Sequence, residues 1–156
     1  SPPRCSSVLL VPLEGSHNAY VALAKAQELA ALPKAEIVLL NVVVRYHYAT
    51  YARDVNYYDI YRQLSDVSTQ MLAKAAKPLE AAGIKVQQVV KEGSPKPMIA
   101  DTVPEEYHCD LIVSGKSGTN ALERDLTGSV PPILVRHSPV NVLVINDDSD
   151  GDVAGY

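Results

Sequence analysis

The chain contains neither phenylalanine nor tryptophan, and only two cysteines and two methionines in 156 residues. Without Phe and Trp, nearly all aromatic surface falls to nine tyrosines. The cysteines, Cys5 and Cys109, lie far apart and neither stands at a metal-ligand spacing, so both read as buried or half-buried thiols. Histidines His17, His47, His108 and His137 likewise show no mutual spacing for a metal. A surplus of positive charge is also missing: 14 Lys and Arg stand against 18 Asp and Glu. Four of those acids, Asp147, Asp148, Asp150 and Asp152, fall in a C-terminal run expected to be a solvated tail over residues 147–156, which leaves the body close to neutral. A near-neutral body has no basic face for a phosphate backbone, which argues against nucleic acid as a partner. No apolar run approaches the ~20 residues of a membrane span, and no signal-peptide pattern opens the chain, so the expectation is a cytoplasmic protein without membrane insertion.

What is present is alternation. Short apolar runs rich in β-branched residues occur at Val8 to Leu13, Ile37 to Val44, Ile84 to Val90, Leu111 to Ser114 and Val140 to Ile145. Between them lie helical spacings. Ala22, Leu23, Ala26, Leu29 and Ala30 predict an amphipathic helix over residues 18–32, closed by Pro33. Leu64, Val67, Met71, Ala75, Leu79 and Ala82 predict a second, ending at Gly83, with Pro78 expected to kink or restart it. A third, Pro97 to Tyr107, is expected to be short or bent at Pro104, and a brief fourth runs from Ser129 to Arg136. Alternating strands and helices around apolar strands indicate an α/β domain: a five-stranded, parallel, doubly wound sheet of Rossmann-like or flavodoxin-like type, with helices on both faces. One domain suffices for this length. Pro12 lacks a ladder donor and is therefore placed at the very end of the first strand.

Three glycines follow the fourth strand: Gly115, Gly118 and Gly128, the last preceding Ser129, in the pattern Gly-x2-Gly-x9-Gly-Ser. Glycines at a strand's C-terminal end, followed by a helix start, let backbone N–H groups approach an anion. The same residues also suit a tight strand-to-helix loop with Ser129 as a plain N-cap. A Walker A loop is excluded, because Asp110 occupies the place of its first glycine before Gly115-Lys116-Ser117, and no G-x-G-x-x-G follows the first strand. Lys116 reads either as a point-charge partner for phosphate or as a solvated surface charge. Arg124 reads as a surface residue. Six tyrosines crowd between Tyr46 and Tyr61, in the link between the second strand and second helix; they suit either a flap over a ligand or partner surface, or the packing of a long loop.

With its glycine pattern, this sequence resembles the universal stress protein family. Val11-Pro12-Leu13-Glu14-Gly15-Ser16 is similar to the family's first strand and turn, and Glu92-Gly93-Ser94-Pro95 to its third-strand turn. Arg136-His137-Ser138-Pro139, leading into Val142 to Ile145, is similar to its closing helix and strand. The resemblance spans residues 8–146 and implies strand order 3-2-1-4-5 and binding of ATP or AMP, with Mg²⁺ open as the companion of ATP. By position it implies Leu13 and Glu14 beside adenine and ribose, and Val42 offering backbone contacts to the base. It puts Gly115, Lys116 and Gly118 along the phosphates, with Gly128, Ser129 and Val130 giving N–H groups and a hydroxyl to them at a helix N-terminus. It also implies a homodimer through the edge strand Val140 to Ile145, where Asn141 stands in a place the family often gives to proline.

Two departures matter. Glu14 stands where the family usually has aspartate, and Pro131 and Pro132 follow Val130 without N–H groups to give, so a weaker hold on a triphosphate is expected. The function expected is that of an adenine-nucleotide-binding stress-response or regulatory protein. The alternative is a nucleotide-free dimerising interaction module, such as the cytosolic domain of a larger transporter. No nucleophile and base stand at a useful spacing, so any ATP hydrolysis would be slow or incidental.

Overall fold

Apolar β-branched runs too short for helices, each followed by an amphipathic segment, collapse into a sheet with helices laid over it. The computed structural model describes residues 7–31, 34–44, 57–116 and 140–146. Its elements run β1 (Ser7–Pro12), α1 (His17–Ala30), β2 (Ala35–Val44), α2 (Tyr57–Ala81), β3 (Lys85–Gly93), α3 (Pro95–Pro97), a π-helical stretch (Met98–Thr102), α4 (Val103–Tyr107), β4 (Leu111–Gly115) and β5 (Asn141–Ile145). All five strands are parallel, in the order β3-β2-β1-β4-β5. The fourth expected helix, Ser129 to Arg136, the closing Pro33 and the tail 147–156 lie outside the described residues.

Because strand side chains alternate between faces, the core divides in two. Leu9, Val11, Leu13, Ile37, Leu39 and Val113 point to one face, where α1 and α2 bring Ala22, Ala26, Leu72, Ala76 and Leu79. Val8, Leu10, Val38, Leu40 and Ile112 point to the other, under Ile99 and Val103 from the helical segment after β3. Full burial of one such Leu or Ile contributes about 1.5–3 kcal/mol.

β1 ends at Pro12, opposite Leu40, where its missing N–H costs the ladder nothing further. At the other prolines the helical backbone continues. α2 runs unbroken through Pro78. That proline is exposed and sits in the last turn, so the carbonyl it leaves without an internal donor can turn to water. The turn then closes with Gly83 N–H on the Glu80 carbonyl and Ile84 N–H on the Leu79 carbonyl, a Schellman end whose outer residues Ile84 and Leu79 meet in the core. Pro104 does not shorten its helix either. The turn before it widens, with Val103 N–H reaching back to Met98 C=O, and this π-helical stretch makes room for the ring before α4 continues to Tyr107. His108, at φ 54°, ends that helix in the left-handed conformation.

α2 also starts about two turns before Leu64, at Tyr57. Tyr57, Tyr58 and Tyr61 therefore belong to a helix rather than to the link expected from sequence. Tyr46, Tyr48 and Tyr51 lie outside the described residues.

Candidate functional site

In a doubly wound sheet the carboxyl ends of the strands carry the ligand. Here β1 stops early, and the way it stops builds the site. The β1–β2 register closes with Pro12 opposite Leu40, and Leu13 N–H adds a last bond to Leu40 C=O at 2.8 Å. Continuing that register would put Glu14 opposite Val42, but the chain turns away there through Gly15, whose φ of +95° suits glycine. Alternate residues of a parallel strand address alternate neighbours. Val42, two residues beyond Leu40, therefore turns its N–H and C=O toward the side that β1 has vacated.

A pocket of about 130 Å³ opens at this corner. Leu13, Glu14, Leu40, Asn41 and Val42 line it from the ends of β1 and β2, and Pro95 and Ile99 from the helical segment after β3. Three of the expected site residues are thus brought together. Their contributions differ. The Leu13 side chain is 1% exposed and committed to the core, so it can offer a ligand little but backbone. Glu14 is exposed, and its Oε1 accepts a hydrogen bond from Ser16 Oγ. Ser16 also caps α1, its Oγ accepting from Ala19 N–H at 3.2 Å.

Gly115 and Lys116 lie at the end of β4, on the other side of β1 from the pocket. Gly115 has a packing role that the sequence did not disclose. A Cβ there would collide with the Asn18 carbonyl and come within 2.7 Å of Ala19 N, so only glycine lets the first turn of α1 lie directly against β4. Lys116 is held by its backbone: its N–H donates to Ile145 C=O at 2.8 Å, and its carbonyl accepts from Asn18 Nδ2. The same first turn of α1 therefore joins the end of β1 to the end of β4. Gly118, Gly128, Ser129 and Val130, expected along the phosphates, lie outside the described residues, as do Pro131 and Pro132.

Sequence reasoning missed three residues: Asn18, Asn41 and Ser68. Asn41 Nδ2 donates to the Leu13 carbonyl at 2.7 Å, and Ser68 Oγ donates to Asn41 Oδ1 at 2.7 Å. Asn41 interrupts the apolar run of β2, but nothing in the sequence names its partners. Among the described residues no group of three or more His, Cys, Asp or Glu side chains could hold a metal ion, and no helix is long and apolar enough to cross a membrane.

The chain matches the family model "Universal stress protein family" over residues 7–146. A universal stress protein homologue from Staphylococcus saprophyticus is 34% identical over 142 residues, covering 90% of this chain and 83% of its own length. Among solved structures, the universal stress protein UspA from Lactobacillus plantarum is 28% identical with a TM-score of 0.71, covering 92% of this chain and 99% of the other. Two more distant structures share the fold. One is a universal stress protein in complex with cAMP, 22% identical at TM-score 0.60, with 92% and 98% of the two chains covered. The other is a family protein from Arabidopsis thaliana with AMP bound, 17% identical at TM-score 0.64, with 92% and 94% covered. The match thus runs from β1 to β5 and takes in both strand ends described above. This chain belongs to the universal stress protein family.

Proposed function

We propose that this chain is an adenine-nucleotide-binding protein of stress-response or regulatory type, holding the base of AMP or ATP in the pocket at the ends of β1 and β2. One observation carries the reading: Val42, two residues past the last backbone bond from β1, lines an apolar pocket on the side where the register places its N–H and C=O. A purine with an amino group beside a ring nitrogen offers the matching acceptor and donor, and Leu40, Ile99 and Pro95 supply the apolar surroundings that ligand pockets share. The pocket is smaller than the ~300 Å³ expected for a whole ligand site, which suits a base subsite rather than a complete nucleotide. The reported complexes of family members with cAMP and AMP support the same ligand class.

In this reading the ribose lies beside Glu14. The phosphates run over the α1 turn toward Lys116, and Gly118, Gly128, Ser129 and Val130 are the residues that the family resemblance assigns to them. With no paired base and nucleophile proposed there, the chemistry is binding, and nucleotide occupancy is the signal.

The test is to purify the protein, denature it and identify any nucleotide released, for wild type and Val42→Phe. A Gly115 substitution would disturb α1–β4 packing, so it cannot separate binding from folding. Filling the pocket with a Phe ring at Val42 can. Adenylate released from wild type and absent from a folded Val42→Phe supports the reading. No nucleotide from either, and no thermal shift with millimolar AMP or ATP, would favour a nucleotide-free interaction module.

A further inference from the structure

Val42 and Asn41 both line the pocket, but their side chains leave β2 on opposite faces of the sheet. Val42 joins the Leu10–Leu40 side, under Ile99. Asn41, the preceding residue, is half-buried and points to the other side, toward α2. There its amide reaches across to β1 and takes the Leu13 carbonyl at 2.7 Å. A continued parallel ladder would have given that carbonyl to the N–H of Val42. Asn41 therefore ends the β1–β2 ladder one step short of the pocket and stands in for the donor that Val42 withholds.

The amide orientation follows from the chemistry of its neighbours. The Leu13 carbonyl can only accept, so Nδ2 must face it, and Oδ1 must face Ser68, whose hydroxyl then donates. Ser68 is 8% exposed, on the core side of α2 one turn before Leu72. A half-buried amide held at both ends has one orientation rather than two.

We propose that Ser68 and Asn41 are positioning residues of the base subsite: by occupying the Leu13 carbonyl, they keep the Val42 N–H open, beside a Val42 C=O that the turn at Gly15 leaves without a β1 donor, and set the preference for a 6-amino purine. This rests on the nucleotide reading above. Ser68 is not among the residues lining the pocket, so its effect reaches the ligand through Asn41. In Ser68→Ala the amide loses its orienting partner, and in Asn41→Leu the Leu13 carbonyl loses its donor and becomes free to capture the Val42 N–H. A 6-oxo purine, which reverses donor and acceptor at those two positions, gains nothing from the open Val42 pair and so loses nothing when it closes.

The experiment is calorimetric titration of the nucleotide-stripped full chain with AMP and with IMP, for wild type, Ser68→Ala, Ser68→Thr and Asn41→Leu, with a urea unfolding curve for each. Wild type is expected to prefer AMP. Ser68→Ala should weaken AMP binding about fivefold, the scale of one hydrogen bond, and Asn41→Leu about tenfold or more, with IMP affinity little changed, so that the AMP-to-IMP ratio falls. Ser68→Thr keeps the hydroxyl and should keep the ratio. An unchanged ratio in Ser68→Ala and Asn41→Leu, with wild type binding AMP, overturns the positioning role and leaves the nucleotide reading standing, even if both variants are less stable. Failure of wild type to bind AMP overturns the nucleotide reading itself and the positioning role with it.

Discussion

At the scale of single residues, Gly115 shows how one atom decides a packing distance. The sequence marks it as the first glycine of a phosphate-type loop, yet the structure gives it a second duty, the contact between β4 and the Asn18–Ala19 peptide. Adding one methyl group forces that contact apart. Gly115→Ala should cost about 1–3 kcal/mol, the usual scale of overpacking, and lower the unfolding midpoint by roughly 3–10 °C. Thermal unfolding followed by circular dichroism checks this; a midpoint within a degree of wild type would show that α1 does not rest on β4 as described. Leu13, Glu14 and Val42 could be named from sequence only through the family resemblance, which assigns their roles by position. Asn18, Asn41 and Ser68 could not, because a lone polar residue declares nothing about its partner until the sheet has placed another chain segment within hydrogen-bonding distance.

At the scale of elements, the strands were read to within a few residues because runs of β-branched residues admit little else. At the prolines the sequence left alternatives open, kink or restart at Pro78 and short or bent at Pro104. A proline's local cost depends on where in the helix it falls and on whether the turn before it can widen, and neither property is visible in its neighbours. Pro78 falls on an exposed last turn, and Pro104 follows a turn that opens by one residue. The start of α2 was missed for another reason: its first turns carry tyrosines, which suit either a helix or a packed loop. The buried side of α2 is set by Leu72, Ala76 and Leu79, whereas Val67, part of the same apolar spacing in the sequence, is 66% exposed. Leu72→Ala should therefore cost about 2–5 kcal/mol and Val67→Ala within about 0.5 kcal/mol, as compared by urea unfolding. Equal losses would mean that α2 is rotated from the orientation described.

At the scale of the whole molecule, β5 lies at the edge of the sheet, with Leu143 on it 38% exposed. Among the described residues no strand lies beyond β5; an apolar edge of this kind invites pairing, and a two-fold partner presenting the same strand would cover it. We propose that the chain forms a homodimer there. Light scattering should give about twice the 16.8 kDa chain mass for wild type and the chain mass for Leu143→Arg; a wild-type monomer, or a dimer that survives the arginine, removes β5 as the interface. The larger claim concerns the opposite strand ends, where an early stop of β1 leaves a backbone donor and acceptor of β2 to a ligand. Calorimetric titration of the nucleotide-stripped protein with AMP, beside folded Val42→Phe, tests it most directly. The account predicts saturable binding near one AMP per chain, weakened at least tenfold by the phenylalanine. Equal binding by the two proteins, or no binding by wild type, would contradict it.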